Sequence, residues 1–409
     1  MSAPASALAQ VVVRSGRDRS VRQRHPRLFA SAIKEILGRP KDGELVDVTD
    51  NHGVWLARGV INQQAQIAIR LLTWSADEGA AAADWPGLWQ ARVRAAIAQR
   101  TADPNLRDTD ARRLVFGESD GLPGLVVDDY AGHLVMQLST LAATQWRGPA
   151  LDALQDALHP ACVIEREDDD RMRHERPDAK PGPAFAVVRG AAPEGPVVFR
   201  EGGLRFEVDL RSGQKTGYYL DQRENRARVA AYCRGATVLN AFAFSGGFAA
   251  HALAAGAASV INLDSSAEAL RLAERTMALN GFEARATSVE ADAFERLRAW
   301  RAEGRRFDVV IVDPPKFAHH PGQVERAARA YKDLNRIALA LVAPGGVLAT
   351  FSCSGVVDAA LFQKILFSAA LESGRDAQVV ERLTQSSDHP VALTFPESEY
   401  LKGLILRVP

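Results

Sequence analysis

Short apolar runs alternate with segments of helical periodicity throughout the C-terminal half of the chain. Five of these runs predict strands, the first from residue 238 and the others at 258–263, 286–290, 307–312 and 347–351. Regular alternation of strands and helices is typical of a parallel sheet wrapped by helices on both faces. Two last strands, at 377–382 and 400–408, are expected to close this sheet as an antiparallel hairpin. The pattern therefore predicts an α/β domain with a seven-stranded, mostly parallel sheet over residues 196–409.

The N-terminal half has a different pattern, of short strands separated by turns. Residues 1–75 predict a small, mostly β domain with strands at 11–13, 43–48, 54–60 and 67–72. Residues 76–195 predict a central α+β domain with helices at 88–100 and 145–158 and strands at 113–116, 121–128, 133–138 and 161–164. The charged segment 165–182 lacks apolar periodicity, so a mobile loop is expected there. A hairpin at 196–210, with Gly202 and Gly203 in its turn, opens the C-terminal domain.

A loop rich in small residues follows the first strand of the C-terminal domain. Its sequence is Phe244-Ser245-Gly246-Gly247-Phe248, and Asp264 ends the next strand. Glycines let the backbone bend and approach a ligand, the start of a helix offers free N–H groups, and a strand-end carboxylate can accept both hydroxyls of a ribose. Because the loop lacks the G-x-G-x-x-G of dinucleotide sites, S-adenosylmethionine is the predicted nucleoside ligand. A plain turn with Asp264 as a helix cap is the alternative interpretation.

Two further predicted strand ends carry candidate side chains. Asp292 could accept a hydrogen bond from an adenine amino group, with Phe294 as an apolar wall, although a helix cap and a core residue are equally good interpretations. In Asp313-Pro314-Pro315-Lys316-Phe317 the prolines exclude a helix and fix φ, which would hold the Asp313 carboxylate rigidly over the reactive end of the ligand. A donor-bearing base edge suits that carboxylate, and Phe317 could stack on the base. A simple turn is the alternative for this motif.

Cys353 lies between two serines at a fourth strand end. A thiol is useful for one methylation in particular, because C5 of cytosine becomes nucleophilic only after a thiolate has added to C6. Asp313 would then pair with the N3 and N4 edge of the base. The alternative is that Cys353 is a small buried thiol.

Composition and charge add limits and one further candidate. The 50 basic and 50 acidic residues cancel, so only local patches can indicate a nucleic acid. Three separated cysteines form neither a disulfide framework nor a zinc site, and no targeting or membrane-spanning segment is recognised, which predicts a soluble, cytoplasmic protein without a metal. Residues 14–27 hold six arginines against one acid. Arg17, Arg22 and Arg24 are therefore predicted RNA contacts, with a solvated surface as the alternative.

Several stretches resemble one family of enzymes over nearly the whole chain. They are Arg24-His25-Pro26, residues 55–59, 116–125, 216–223, 242–248, 313–317, 352–354, Asp388-His389-Pro390 and 400–403. The family is that of bacterial 23S ribosomal RNA cytosine-5 methyltransferases that join an N-terminal PUA domain, a central α+β domain and a C-terminal Rossmann-like methyltransferase domain. The long charged segment 168–182 departs from the family pattern.

The resemblance implies a role for particular residues. Cys353 would be the nucleophile and Asp313 the acid that pairs with the base. The implied S-adenosylmethionine contacts are Tyr219, Gln222, Arg223, Phe244, Ser245, Gly246, Gly247, Asp264, Ser265, Asp292 and Ala293. The implied substrate contacts are Pro314, Pro315, Lys316, Phe317, Arg17, Arg22 and Arg24. The partner would be 23S ribosomal RNA, with no membrane, and the chain would be a monomer or a homodimer.

Two other functions stay open at this point. An N-methyltransferase acting on a purine amino group would need the Asp-Pro-Pro motif and an aromatic residue but no thiol, so Cys353 discriminates against it. A non-catalytic RNA-binding factor could keep the fold, although the intact glycine loop, Asp264 and Cys353 argue against this.

Overall fold

The computed structural model describes residues 8–75, 84–167, 175, 185–211 and 217–409. Within these ranges the chain forms four sheets, of six, five, two and seven strands. Most of the charged segment for which a mobile loop was expected lies outside the described residues. No helix in the described part of the chain is both long enough and apolar enough to cross a bilayer.

The N-terminal sheet has six strands in the order β2-β6-β5-β4-β1-β3. They are β1 Ala9–Val13, β2 Arg27–Phe29, β3 Ile33–Leu37, β4 Leu45–Thr49, β5 Trp55–Ile61 and β6 Ile67–Thr73. A short helix, α1 Arg19–Arg22, follows β1. The four predicted strands are present, and the two that the sequence did not reveal, β2 and β3, are the two edges of the sheet. Edge strands are exposed and tolerate charges, so their apolar signal is weak.

The middle sheet has five strands in the order β11-β10-β9-β8-β7. They are β7 Ala111–Phe116, β8 Leu125–Tyr130, β9 His133–Leu138, β10 Cys162–Glu167 and β11 Ala186–Gly190. The helices packed on this sheet are α2 Trp85–Ala102, α3 Leu141–Gln145 and α4 Arg147–Leu158. The sequence again missed an edge strand, β11. It predicted one helix where the structure has two, because the chain breaks at Trp146, whose ring packs against Trp85 and Trp89.

A two-stranded hairpin links the middle sheet to the last one. It pairs β12 Val197–Glu201 with β13 Leu204–Val208. Gly202 and Gly203 form the turn with φ of +57° and +79°, as the sequence predicted. The alternate side chains Val197, Phe199, Leu204, Phe206 and Val208 are buried, so the hairpin covers the core with one face.

The C-terminal sheet has seven strands in the order β16-β15-β14-β17-β18-β20-β19. They are β14 Thr237–Ala241, β15 Ser259–Asp264, β16 Ala286–Glu290, β17 Phe307–Val312, β18 Val342–Ser352, β19 Gln378–Leu383 and β20 Lys402–Val408. β14 to β18 are mutually parallel, whereas β20 pairs antiparallel with both β18 and β19. The predicted seven-stranded, mostly parallel sheet with its closing hairpin is therefore confirmed.

Helices cover both faces of this sheet. They are α5 Arg223–Ala230, α6 Gly247–Ala254, α7 Ala267–Leu279, α8 Ala293–Ala302, α9 Val324–Leu341 and α10 Ala359–Ser373. Alternate strand residues face opposite cores: Val238 and Val309 pack with Phe248 of α6, whereas Leu239 and Val310 pack with residues of α8, α9 and α10. The central parallel strands β14, β17 and β18 are largely buried, and such strands show as apolar runs, which is why the sequence located them well.

Candidate active site

Five candidate groups lie side by side at the carboxyl edge of the C-terminal sheet. In the observed strand order they are Asp292, Asp264, the loop 242–248, Asp313 and Cys353. The loop follows β14, where the strand order reverses between β14 and β17, and this switch point is where open α/β sheets bind ligands. The sheet therefore separates two regions, with two carboxylates on one side of the loop and an acid with a thiol on the other.

The loop after β14 has a strained backbone. Phe242 and Phe244 have φ of +61° and +46°, a left-handed conformation that bulky side chains rarely adopt. Such residues cost about 1 kcal/mol or more each and cluster at functional sites. Phe244 is half-buried and meets the Tyr219 ring edge-on, with centroids 5.1 Å apart, while the loop amides ahead of α6 are carried to the edge of the sheet.

The two glycines of this loop allow close packing against neighbouring protein atoms. Gly246 has φ of +74°, and a Cβ on it would lie 3.0 Å from the Cβ of Ala273 in α7. A Cβ on Gly247 would lie 2.8 Å from the Tyr218 hydroxyl and 2.9 Å from Arg226. Both positions exclude larger residues because protein atoms occupy the space where a Cβ would lie, and the approach of a cofactor to their backbone stays a prediction. Their neighbour Ser245 is buried as well.

Asp264 connects the loop to the helix that follows β15. One carboxylate oxygen accepts from the Phe244 amide at 2.9 Å and the other from the Ser266 amide at 2.9 Å. The cap of α7 is the Ser266 hydroxyl, so the helix does not depend on Asp264 alone. The carboxylate is half-buried, and each of its oxygens has a second lone pair. This donor set suits a nucleoside with an amino-acid group: ribose hydroxyls for Asp264 and a carboxylate for the loop amides.

The residues beyond β16 support the predicted adenine end less directly. Asp292 is exposed and caps α8, accepting from the Glu295 amide at 3.0 Å, which is the helix-cap interpretation. Ala293 behind it is buried in the core, and Ser265 after Asp264 is exposed. Phe294 lies between the rings of Phe242 and Phe317, with centroid distances of 6.5 Å and 6.2 Å, and forms an apolar wall at this edge.

Asp313 is positioned by a residue that was assigned to the cofactor. The Gln222 side-chain amide donates to the Asp313 carboxylate at 3.0 Å, and its oxygen accepts from Asn225 at 2.6 Å. Gln222 is buried, so its amide is committed to these protein groups. Gln222 therefore supports Asp313, and its contact with the cofactor stays a prediction. Pro314 is buried and Pro315 exposed, which keeps the acid in an extended chain at the end of β17.

Cys353 is held in a turn that both neighbouring serines stabilise. Ser352 and Ser354 are fully buried, and the Ser354 hydroxyl accepts from the Ala318 amide and bonds the Tyr331 hydroxyl at 3.0 Å. These contacts tie the thiol turn to the chain that follows Phe317. Cys353 itself is half-exposed, unlike the buried thiols Cys162 and Cys233. The expectation of a thiol at an accessible strand end therefore holds.

Phe317, which the sequence predicts to stack on the target base, is partly covered by other protein side chains. Phe317 is half-buried, with its ring centroid 4.6 Å from that of Tyr331. Lys316 is exposed beside it and lines a cavity of about 320 Å³ together with Phe317 and Arg326.

Lys402 is a site residue whose role the sequence did not reveal. It opens β20, is 6% exposed, and pairs with Ser352 across the sheet. Its ammonium donates to the Ser354 carbonyl at 2.8 Å and to the Tyr400 carbonyl at 2.7 Å. Burial lowers the pKa of Lys402 to about 8, although the Cys353 thiol acts in the opposite direction. A lysine at the start of a final strand that is apolar apart from Arg407 was the available signal.

The start of α5 holds Arg223, a second residue that the sequence assigned to the cofactor. The Arg223 guanidinium is buried and donates to Asp388 at 2.9 Å and to the Ala111 carbonyl at 2.6 Å. Its side chain therefore joins the C-terminal domain to the middle sheet, and its contact with the cofactor stays a prediction. Asp388 also accepts from the Arg113 amide at 2.9 Å. Tyr219 borders the edge, and burial raises the pKa of its hydroxyl well above the ordinary value.

The arginine cluster 14–27 divides into engaged and exposed side chains. Arg22 bonds Asp18 and Asp50, both at 2.6 Å, and Arg27 bonds Glu118. Among the residues that the structure describes, the exposed side chains without an ion-pair partner are Arg14, Arg17, Arg19 and Arg24. Arg22 is therefore a weaker candidate for RNA than the sequence suggested, since two carboxylates already neutralise it.

Comparison with known proteins agrees with this geometry. The family model of S-adenosylmethionine-dependent methyltransferases matches residues 167–407, and that of PUA-like domains matches residues 11–74. The ribosomal RNA large subunit methyltransferase I of Shewanella amazonensis is 43% identical over 400 residues, which are 98% of this chain and 99% of that protein. The protein of the same name from Aeromonas salmonicida is 43% identical over 396 residues, 96% of this chain and 97% of its own.

Solved structures agree on the fold. A methyltransferase crystallised with SAH superposes with a TM-score of 0.83 at 18% identity, covering 98% of this chain and 100% of that one. A SAM-dependent methyltransferase from Streptococcus mutans reaches 0.81 at 19% identity with the same coverage. The chain belongs to the S-adenosylmethionine-dependent methyltransferase family, in the group of the ribosomal RNA large subunit methyltransferases I.

Proposed function

We propose that this enzyme forms 5-methylcytosine in 23S ribosomal RNA through a covalent bond between Cys353 and C6 of the base. One observation carries the proposal: an accessible thiol and a carboxylate, Cys353 and Asp313, end adjacent parallel strands, and the nucleoside-binding loop ends the strand on the other side of Asp313. The curated relatives named for the ribosomal RNA large subunit support the substrate. Such a substrate implies action in the cytoplasm, where ribosomes assemble.

The residues on the β14 and β15 side of the edge would hold the cofactor. Asp264 would accept the ribose hydroxyls, the loop amides near Ser245 would donate to the carboxylate, and Phe242 and Phe294 would flank the adenine. Bound there, S-adenosylmethionine supplies an electrophilic methyl group. Asp292 stays a proposed adenine contact, because its capping bond uses one oxygen only.

The residues on the β17 and β18 side would activate the base. The Cys353 thiolate adds to C6, and the electrons of the C5–C6 double bond become available at C5 for the methyl group. Asp313 accepts from the exocyclic amino group and stabilises the charge that develops on the ring. After methylation the C5 proton leaves to a base, the double bond forms again, and the thiolate is expelled from C6.

The exposed arginines of the N-terminal domain would contact the RNA backbone. Arg17 and Arg24 lie on one surface segment, and guanidinium groups pair bidentately with phosphate oxygens. Contacts of this kind position the RNA and carry no sequence information. The choice of nucleotide would therefore depend on residues near the active edge such as Lys316.

The test of the proposal is covalent trapping. RNA that carries 5-fluorocytosine at the target cannot lose a proton from C5, so the adduct should accumulate and remain visible on a denaturing gel. Cys353→Ala should abolish both turnover and trapping and still bind S-adenosylmethionine. Cys233→Ala, which removes a fully buried thiol, is the matched control and should keep both.

A Cys353→Ala enzyme that methylates RNA at near the wild-type rate would exclude the covalent mechanism. The purine N-methyltransferase would then be the better explanation, and the methylated nucleoside, identified by mass spectrometry, would be a purine.

A further inference from the structure

Lys402 is a buried cation that the mechanism above does not use. Its ammonium is fixed by the carbonyls of Ser354 and Tyr400 at 2.8 Å and 2.7 Å. Ser354 is the residue immediately after Cys353, and Ser352, immediately before it, is the cross-strand partner of Lys402. The lysine is therefore hydrogen-bonded to the segment that carries the Cys353 thiol. Two of its three protons are used by carbonyls, and a third is left for another acceptor.

No carboxylate forms an ion pair with Lys402 within the described ranges. The acids that act on it from a distance are Glu399 and Asp358, both exposed, and Asp358 already caps α10. Lys316 repels it. Water screens the two exposed acids, so neither compensates a charge buried in the sheet. An unpaired buried ammonium is costly unless an anion lies close to it.

The groups that face Cys353 from the other elements do not supply that anion. Tyr219 and Tyr331 both interact with Cys353, but burial raises the pKa of each hydroxyl, so both stay neutral in the working range. The Asp313 carboxylate ends the adjacent strand β17 and accepts from Gln222, and it is not among the charges that act most strongly on Lys402. The thiol is thus the ionisable group best placed to balance the ammonium, and it acts on Lys402 more strongly than either exposed acid does.

We propose that Lys402 is a positioning residue that holds Cys353 as a thiolate in the resting enzyme. The thiol proton is released to water, while Lys402 keeps its own proton and remains bonded to the two carbonyls. The cation therefore raises the fraction of enzyme ready for attack on C6 without touching the base. This inference rests on the proposed function only for its purpose, since Lys402 is bonded to the residue after Cys353 in the free protein.

The test measures the thiol directly, without RNA or cofactor. The rate of alkylation by iodoacetamide is followed from about pH 5 to about pH 10 in the full-length protein, since only the thiolate reacts. Cys162 and Cys233 are fully buried, and Cys353→Ala measures any contribution from them. In the wild type the midpoint should lie below the ordinary thiol value of about 8.5.

Removal of the cation should reverse this shift. Lys402→Met should move the midpoint up by about one pH unit or more and slow alkylation near neutral pH about tenfold, and Lys402→Arg should restore most of the wild-type profile. A merely structural lysine would change stability and leave the profile in place. An unchanged midpoint in folded Lys402→Met would overturn the proposal.

A second measurement avoids substituting the lysine. The thiolate absorbance of the wild type minus that of Cys353→Ala, titrated against pH, gives the same midpoint even if Lys402→Met does not fold. A midpoint at or above about 8.5 would also overturn the proposal. If trapping by 5-fluorocytosine fails while the midpoint stays low, the C5 mechanism is wrong and the charge pair stands. If trapping succeeds while the midpoint is at or above the ordinary thiol value, the C5 mechanism stands and Lys402 has no role in ionising the thiol.

Discussion

Two groups of buried charges in this enzyme are built in opposite ways. At the junction between the hairpin and α5, Glu201 accepts from both Nε and Nη2 of Arg226, each at 2.7 Å, and meets His251 at 3.0 Å. At the active edge, Lys402 donates to two backbone carbonyls and Asp313 accepts from the neutral amide of Gln222. The junction thus compensates charge with charge, whereas at the edge neutral groups bond both the cation and the acid.

The charges at the junction stabilise the fold, whereas the charges at the active edge serve the reaction. Arg226 holds the pKa of Glu201 far below its usual value despite full burial, and Arg223 does the same for Asp388. Such pairs are stable because each ion has its partner, and they lose much when one partner is removed. The edge charges are bonded by neutral groups, contribute less to stability, and are retained where a reaction uses them. Substitutions in the two groups should therefore have different effects.

The largest effect is expected at the junction. Glu201→Ala leaves Arg226 and His251 buried without their anion, which should lower the free energy of unfolding by about 3–5 kcal/mol. Denaturant unfolding measures it. Glu381→Ala is the control, because its partner Arg228 is exposed and such pairs contribute about 1 kcal/mol or less. Equal losses in the two variants would contradict the comparison.

The same pair predicts how stability depends on pH. Because the folded pKa of Glu201 is depressed, its contribution is fully present above its ordinary value of 4.5 and is lost as the pH falls below it. Asp388 behaves alike below 3.8. The denaturant midpoint of wild-type unfolding should decrease as the pH falls through this range. The midpoint of Glu201→Ala should depend less on pH. Parallel curves for the two proteins would argue against the pairing.

At the edge, Asp313→Asn should affect the reaction and spare the fold. An amide keeps the shape but cannot stabilise the developing charge, so kcat should fall on the order of 10² to 10³-fold. The free energy of unfolding should change by about 1 kcal/mol or less, and affinity for S-adenosylmethionine should stay the same. Steady-state kinetics and calorimetry distinguish the outcomes. A loss of cofactor affinity instead would move Asp313 into the cofactor site.

A smaller effect is expected from the residue that supports Asp313. Gln222→Met removes one donor to the carboxylate, and kcat should fall about tenfold with an unchanged KM for S-adenosylmethionine. Asn225 keeps its bond to the Thr384 carbonyl, so the local structure should survive. A raised KM with unchanged kcat would return Gln222 to the cofactor site.

The smallest effect is expected from the exposed arginines. Arg17→Gln with Arg24→Gln should reduce the salt dependence of RNA binding by about one unit of slope per arginine, without changing cofactor affinity. Arg22→Gln is the comparison within the cluster, because Asp18 and Asp50 already neutralise that side chain. A larger change in Arg22→Gln than in the double variant would contradict the division of the cluster.

The sequence by itself determined the C-terminal sheet and the set of strand-end groups. Parallel strands buried on both faces are mostly apolar, so Phe307–Val312 has the bounds that the pattern predicted, and the bounds of the edge strand Ala286–Glu290 agree as well. Once those strands are parallel, their carboxyl ends meet at one edge, and Asp264, Asp313 and Cys353 are neighbours as a consequence of topology.

Only the tertiary structure decided what individual side chains do. Arg223 and Asp388 are 165 positions apart, and Lys402 and Ser354 are 48 apart, so no local pattern shows that they meet. The edge strands Ile33–Leu37 and Ala186–Gly190 escaped prediction because they bury little. The sequence predicts Gly246 and Gly247 as ligand contacts, and only the structure shows that neighbouring helices and Tyr218 occupy the space where a Cβ would lie. Periodicity records which face is buried, whereas a charge finds its partner only when distant segments pack together.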